Sequence, residues 1–308
     1  MGRSFFPLLV IIVALFTLNF GLGGCSESQS REEQSNIKVI TTIFPLADIA
    51  QNIGGEEVEV SHLLPSGASP HTFEPTVEQM KKMSEADVFV YIGGGLDDWA
   101  TSLKDAAPPD LEVVQSTSGI ELKEAVNSHN GHCCAEENGD PHIWLDPLLM
   151  RDKVLPRLED AFAQIAPEKR DYFQERQEEY ARELTKTHAQ IEEQISGFSR
   201  KEFITIHSAW RYFADRYGLK EAGVITPYPG QEPSASRMKE LVEIAKEIEA
   251  QVIFSEPQLN PEVAEQLAKE IDAEVFILDP LGGEDLEKRN SYLKLLLYNA
   301  TTLEKALD

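Results

Sequence analysis

The sequence predicts an α/β protein of two lobes, each built from parallel-sheet βα units, joined by one long rigid α-helix. Three observations carry that expectation. Short β-rich runs alternate with helical runs through both halves of the chain, the punctuation of parallel sheets with helices on their faces. A central stretch rich in polar residues has no glycine before Gly197 and carries a single apolar stripe. The chain, at 308 residues, exceeds the usual size of one hydrophobic core.

In the N-terminal lobe, residues 37–166, IKVITTI reads as a strand, PLADIAQNI as a helix and EVEVSHLL as a strand. TVEQMKKMSEA then reads as a helix and DVFVYI as a further strand. Gly93-Gly94-Gly95 follows that strand without the Lys-Ser/Thr of a phosphate-binding loop or the spaced glycines of a dinucleotide fingerprint, so it is expected to be a tight turn. Residues 167–199 are the connecting helix. Phe173, Tyr180, Leu184, Ile191, Ile195 and Phe198 fall on one face of it, and about thirty residues give a rod of roughly 45 Å. His188 lies off that stripe and is expected at the surface. In the C-terminal lobe, residues 200–308, EFITIH is a strand and SAWRYFADRY a helix stopped by Gly218. ASRMKELVEIAKEIEA, QVIFS, PEVAEQLAKEI and EVFIL continue as helix, strand, helix and strand, and a last helix begins near Asn290.

Ahead of the lobes, an apolar run from Phe5 to Leu22 follows Arg3 and ends in small residues, the composition of a secretory signal. Its length is close to the ~20 residues of a membrane span. Leu22-Gly23-Gly24-Cys25 resembles the bacterial lipobox, which makes residues 1–24 a lipoprotein signal peptide and Cys25 the lipidated residue. Residues 25–36 are polar and without period, a flexible tether. The expected location is extracytoplasmic, anchored to the membrane through Cys25. Acidic residues outnumber basic ones 53 to 28 and no Lys/Arg run supplies a phosphate footprint, so nucleic acid is not an expected partner.

In open α/β sheets ligands gather beyond the carboxyl ends of strands. His71 lies in the loop after EVEVSHLL, His207 ends EFITIH, Asp279 follows EVFIL, and His142 falls before the connecting helix. If the lobes face each other across a cleft, three imidazoles and one carboxylate can converge there, a four-coordinate N/O set suited to Zn²⁺; Mn²⁺ would draw more carboxylate. Glu74 and Asp146 are candidate acceptors holding ligand tautomers, with helix capping or surface charge as the plainer readings. Glu256, at the end of QVIFS, is an alternative ligand to Asp279. His62, inside a strand, is expected to be structural.

SPHTFEP, DPHIWLDP, IHSAWRYFADRYG, and FSEPQLNP followed by ILDPLGG resemble, in order, the motifs of the metal-specific solute-binding lipoproteins of bacterial ABC importers, the zinc and manganese cluster. The resemblance covers nearly the whole chain after the tether. It implies ligands at His71, His142, His207 and Asp279, a metal site in the cleft between the lobes, little hinge motion, and delivery to an ABC permease by what is expected to be a monomer. Manganese members typically have glutamate where this chain has His207, so the resemblance leans to zinc.

Zinc members commonly carry a longer, His-rich acidic loop before the second ligand. Residues 127–139 here hold only His129, His132, Cys133 and Cys134, and both readings stand: a secondary zinc-collecting loop, or an insertion. Adjacent Cα atoms, about 3.8 Å apart, lie below the disulfide range of about 4.4–6.8 Å, so Cys133 and Cys134 are not expected to bridge each other. A zinc-dependent hydrolase is the competing reading, but no H-E-x-x-H helix or nucleophile elbow is present, and a fourth protein ligand would fill the position a catalytic water needs. The protein is therefore expected not to be an enzyme. An adhesin role is compatible with the sequence as an additional one.

Overall fold

β-branched and aromatic residues form the central strands in both halves. The computed structural model describes residues 36–124, 139–226 and 232–308. The first sheet holds β1 (Ile37–Thr41), β2 (Val58–His62), β3 (Val88–Tyr91) and β4 (Glu112–Gln115) in the order β2-β1-β3-β4, all parallel. Helix α1 (Phe44–Gly54) crosses from β1 to β2, and α2 (Val77–Met83) lies between β2 and β3 with a capping box built by Thr76 and Gln79. The three glycines after β3 all take positive φ, +80°, +65° and +93°, a turn open to glycine at little cost.

After the 125–138 segment come α3 (Pro147–Leu149), one π turn over Met150–Val154, α4 (Leu155–Ile165) and the long α5 (Arg170–Ser196). The second sheet holds β5 (Glu202–Thr205), β6 (Lys220–Val224), β7 (Val252–Ser255) and β8 (Glu274–Ile277) in the order β6-β5-β7-β8, again parallel. Its helices are α6 (Arg211–Tyr217), α7 (Ala235–Glu247), α8 (Glu262–Ile271) and the terminal α9 (Tyr292–Leu307). Gly218 ends α6 in the left-handed region at φ +66°, the conformation that a side chain there would resist.

Two strands and one helical stretch go beyond the sequence expectation. β4 and β6 are edge strands carrying Glu112, Lys220 and Glu221, so neither reads as the apolar run of a central strand. Residues 147–165, to which the sequence pattern assigns no element, contain Pro147 and Pro156, and proline is excluded from a helix interior. Each stands in the first turn of a helix, and the π turn between them takes up the change in register.

The stripe on α5 is buried as its spacing predicts: Phe173, Tyr180, Leu184, Ile191, Ile195 and Phe198 all lie in the core. The helix itself stops at Ser196, before Gly197. One apolar cluster runs without a break from Val39 and Val90 of the first sheet, through α1, α4 and α5, to Phe203 and Phe254 of the second. The two halves therefore share a core, although each also has a cluster of its own on its outer side. Asp48 of α1 reinforces the junction, its Oδ2 accepting from the Tyr180 hydroxyl (3.1 Å) and the Tyr292 backbone N–H (3.0 Å), which ties α1, α5 and α9 together. His188 departs from expectation: it is half-buried against Tyr217, whose hydroxyl lies 3.3 Å from its Nδ1. No helix among the described residues is long and apolar enough to cross a membrane. The signal-peptide residues, Cys25 and most of the tether lie outside the described residues.

Candidate metal centre

Three segments of unlike structure bring three imidazoles to one place. His71 lies among turns between β2 and α2. His142 immediately precedes a fully buried 3₁₀ turn, Ile143–Leu145, and His207 sits two residues beyond β5. The ring centroids are 5.3 Å apart for His71 and His142, 5.0 Å for His71 and His207, and 5.0 Å for His142 and His207. Nε2 of His71 and Nε2 of His142 approach to 3.3 Å. Each residue of the trio offers one nitrogen within 4.8 Å of the others, the metal-competent cluster found among the described residues. The small cavity they line has Trp144, Leu259, Pro280 and Leu281 as apolar walls.

Carboxylates fix two of the three rings. Asp140 Oδ1 accepts from His142 Nδ1 (2.7 Å) and from the His142 backbone N–H (3.0 Å), so the ring's Nε2 is left as the acceptor facing the cavity. Glu256 faces His207 Nδ1 at 3.4 Å and accepts from Trp210 Nε1 at 3.2 Å. Glu221 of β6 lies behind, accepting from the hydroxyls of Thr205 (2.6 Å) and Ser208 (3.2 Å). Burial pushes its carboxyl up to about 7.

The rings respond in opposite directions. Burial holds His71 well below the ordinary imidazole value, with help from the two neighbouring imidazoles. Burial also lowers His142, partly opposed by Asp140. For His207 burial acts downward too, but Glu256, Glu221 and Asp140 together outweigh it and the ring is raised.

The other sequence candidates divide. Asp279 is buried, but the structure does not gather it with the three imidazoles. Its Oδ1 accepts from Gln258 Nε2 (2.9 Å) and from the backbone N–H groups of Leu281 (3.0 Å) and Gly282 (3.1 Å). Its Oδ2 lies 2.9 Å from Arg289 Nη1 without the alignment of a hydrogen bond, and so remains an oxygen with no hydrogen-bond partner beside the cavity wall. Glu256 lines the cavity through its contact with His207. Asp146 caps α3 by accepting from the N–H groups of Leu148 (3.0 Å) and Leu149 (3.2 Å), and pairs with Arg216 at 2.6 Å. Glu74 is exposed. His62 ends β2 against Phe44, with Glu284 at 3.7 Å. His129, His132, Cys133 and Cys134 lie outside the described residues.

Sequence reasoning overlooked Asp140 and Glu221. Asp140 was legible in DPHIWLDP, because an acidic residue two before a histidine can reach its Nδ1. Glu221 had no such signal, since it belongs to the unexpected edge strand β6.

Two parallel-sheet halves around a common core, with imidazoles closing on one small cavity beyond the strand ends, define a metal-binding solute-binding protein. The chain belongs to the ZnuA family, zinc-uptake complex component A, periplasmic, whose pattern matches residues 39–306. It is similar to the high-affinity zinc uptake system protein ZnuA of Bacillus subtilis, 31% identical over an alignment of 312 positions that covers 97% of this chain and 97% of that one. It is also similar to the zinc-binding lipoprotein AdcA of Streptococcus pneumoniae, 28% identical over 98% of this chain and 60% of that one, so it spans little more than half the length of that relative. Among solved structures, a crystal structure of ZnuA superposes with a TM-score of 0.78 at 30% identity, covering 88% of this chain and 99% of that one.

Proposed function

We propose that the protein captures Zn²⁺ outside the cytoplasm and delivers it to an ABC permease, with His71, His142 and His207 as the nitrogen ligands. The observation that carries this reading is the spacing of the converging nitrogens. Zinc–imidazole bonds of about 2.0–2.1 Å in a tetrahedron separate ligand atoms by about 3.3–3.4 Å, and Nε2 of His71 lies 3.3 Å from Nε2 of His142. A neutral three-nitrogen set favours zinc over manganese, which prefers more oxygen. Asp279 Oδ2, ion-paired with Arg289 but without a hydrogen-bond donor, supports that carboxylate as the fourth ligand, reached by exchanging the ion pair for the metal. A fourth protein ligand leaves no position for an activated water, which favours binding and transfer over hydrolysis.

The names of the relatives support zinc as cargo and, for AdcA, a lipoprotein form. For this chain the lipid anchor at Cys25 and the monomeric state belong to the same proposal. Competition against a chromogenic zinc chelator tests the reading. Wild-type protein should hold one tightly bound zinc per chain in the presence of excess Mn²⁺, and His71→Ala, His142→Ala and His207→Ala should each lose it while keeping the fold. Tight retention of zinc by any of the three would remove that residue from the ligand set. Deleting residues 128–138 should leave the tight site intact. Loss of that site on deletion would move ligands into the segment.

A further inference from the structure

Two of the three imidazoles have a carboxylate at Nδ1, Asp140 for His142 and Glu256 for His207, whereas among the described residues His71 meets the other two imidazoles, His142 at Nε2 and His207 ring to ring. His71 is also the ligand carried by turns rather than by the end of a strand or the start of a helix. Something other than a second carboxylate must hold it in register. Between Pro65 and Pro75 the backbone bonds Ala68 N–H to Pro65 (3.1 Å) and Thr72 N–H to Ser69 (3.4 Å) are internal to the stretch. Among the described residues, the hydrogen bond reaching it from outside is that of Trp99, whose indole Nε1–H donates to the carbonyl of Pro70 at 2.8 Å. Pro70 is buried and immediately precedes His71, and the Trp99 ring also meets Phe73 edge-on at 4.9 Å. The indole therefore grips the chain on both sides of the ligand.

Trp99 is itself anchored to the sheet. Two residues before it, Asp97 is fully buried and accepts from the Thr42 hydroxyl (2.6 Å), the Ile92 N–H (2.8 Å) and the Gly93 N–H (2.8 Å), groups at the ends of β1 and β3. A continuous path thus runs from the sheet through Asp97 and Trp99 to Pro70 and His71. Given the zinc-binding reading, on which this rests, we infer that Trp99 is the positioning residue for His71: it does for that ligand through the backbone what Asp140 does for His142 through the ring.

Trp99→Phe keeps an aromatic ring beside Phe73 and removes the donor. Losing one neutral hydrogen bond should weaken zinc binding about three- to tenfold, with the metal-free thermal midpoint little changed. A merely structural role would weaken the site whatever ligands remain, so the test is a double-mutant cycle read by chelator competition with zinc. The cost of Trp99→Phe should vanish in the His71→Ala background, where the weak zinc binding left to the other ligands is read by direct titration, and persist in the Asp140→Asn background. Wild-type affinity in Trp99→Phe, or an equal cost with His71 present or absent, would overturn the inference. If Trp99→Phe does not fold, Phe73→Leu, which removes the ring contact and keeps the hydrogen bond, is read in the same cycle with the same two criteria. Wild-type protein that holds no zinc would sink the functional reading itself, a result distinct from either.

Discussion

Replacing Asp140 probes the site without touching a proposed ligand. Its carboxylate is 4% exposed and gives Oδ1 to both the ring Nδ1–H and the backbone N–H of His142, at 2.7 and 3.0 Å. The ring bond is charge-assisted, and bonds of that kind contribute about 1.5–3 kcal/mol. Loss of such an acceptor behind a metal-bound imidazole typically weakens metal affinity about 10- to 100-fold, or about 1.4–2.7 kcal/mol. Asp140→Asn retains a neutral acceptor and should fall near the lower end of that range. Asp140→Ala removes both bonds and leaves His142 free to rotate, which places it near the upper end. Zinc affinity should be measured by chelator competition at neutral pH, with thermal unfolding of the metal-free proteins as a check on folding. If Asp140→Ala folds and stays within about twofold of wild type, His142 is not oriented by this carboxylate or does not bind the metal.

Three further outcomes follow from the same geometry. Zinc needs neutral imidazoles; burial lowers His71 and His142 and so favours their neutral form, whereas His207 is raised and must release a proton, so affinity should fall about tenfold per pH unit as pH drops through the raised His207 value. A fall of about a thousandfold per unit in that window, measured by titration at several pH values, would show that all three rings titrate together. Asp146→Asn removes charge from the α3 cap and the Arg216 pair, and should lower stability by about 1 kcal/mol in denaturant titration while zinc affinity stays near wild type; a large affinity loss would make Asp146 part of the site. Leu184→Ala on α5, 0% exposed in the core common to both sheets, should cost about 2–5 kcal/mol in one cooperative transition, and two separated transitions would mean that the halves fold independently.

The architecture was legible wherever burial imposes a pattern. The seven-, four- and three-residue intervals on α5 predicted its buried face, and the central strands β1, β3, β5 and β7 stand where β-branched runs lie. Pattern fails where burial is partial: β4 and β6 are polar edges, and the Pro147–Ile165 stretch hides two helical starts behind prolines. The meeting of His71, His142 and His207 was legible from two positions beyond strand ends, His71 and His207, and from His142 ahead of the connecting helix, a reading of topology that needs no distances. What a single sequence could not supply was the arrangement behind the rings. Glu221 comes from an edge strand, and Trp99 acts on a carbonyl 29 residues away. Asp146, near His142 in sequence, faces a helix end and Arg216 instead.

The most direct measurement is zinc K-edge X-ray absorption on the protein loaded with one equivalent of Zn²⁺. Three imidazole nitrogens and one oxygen at about 2.0–2.1 Å, with no sulfur shell, is the expected first coordination sphere. A sulfur contribution at about 2.3 Å, or fewer than three imidazoles, would place the tight site elsewhere in the chain and contradict the assignment of His71, His142 and His207.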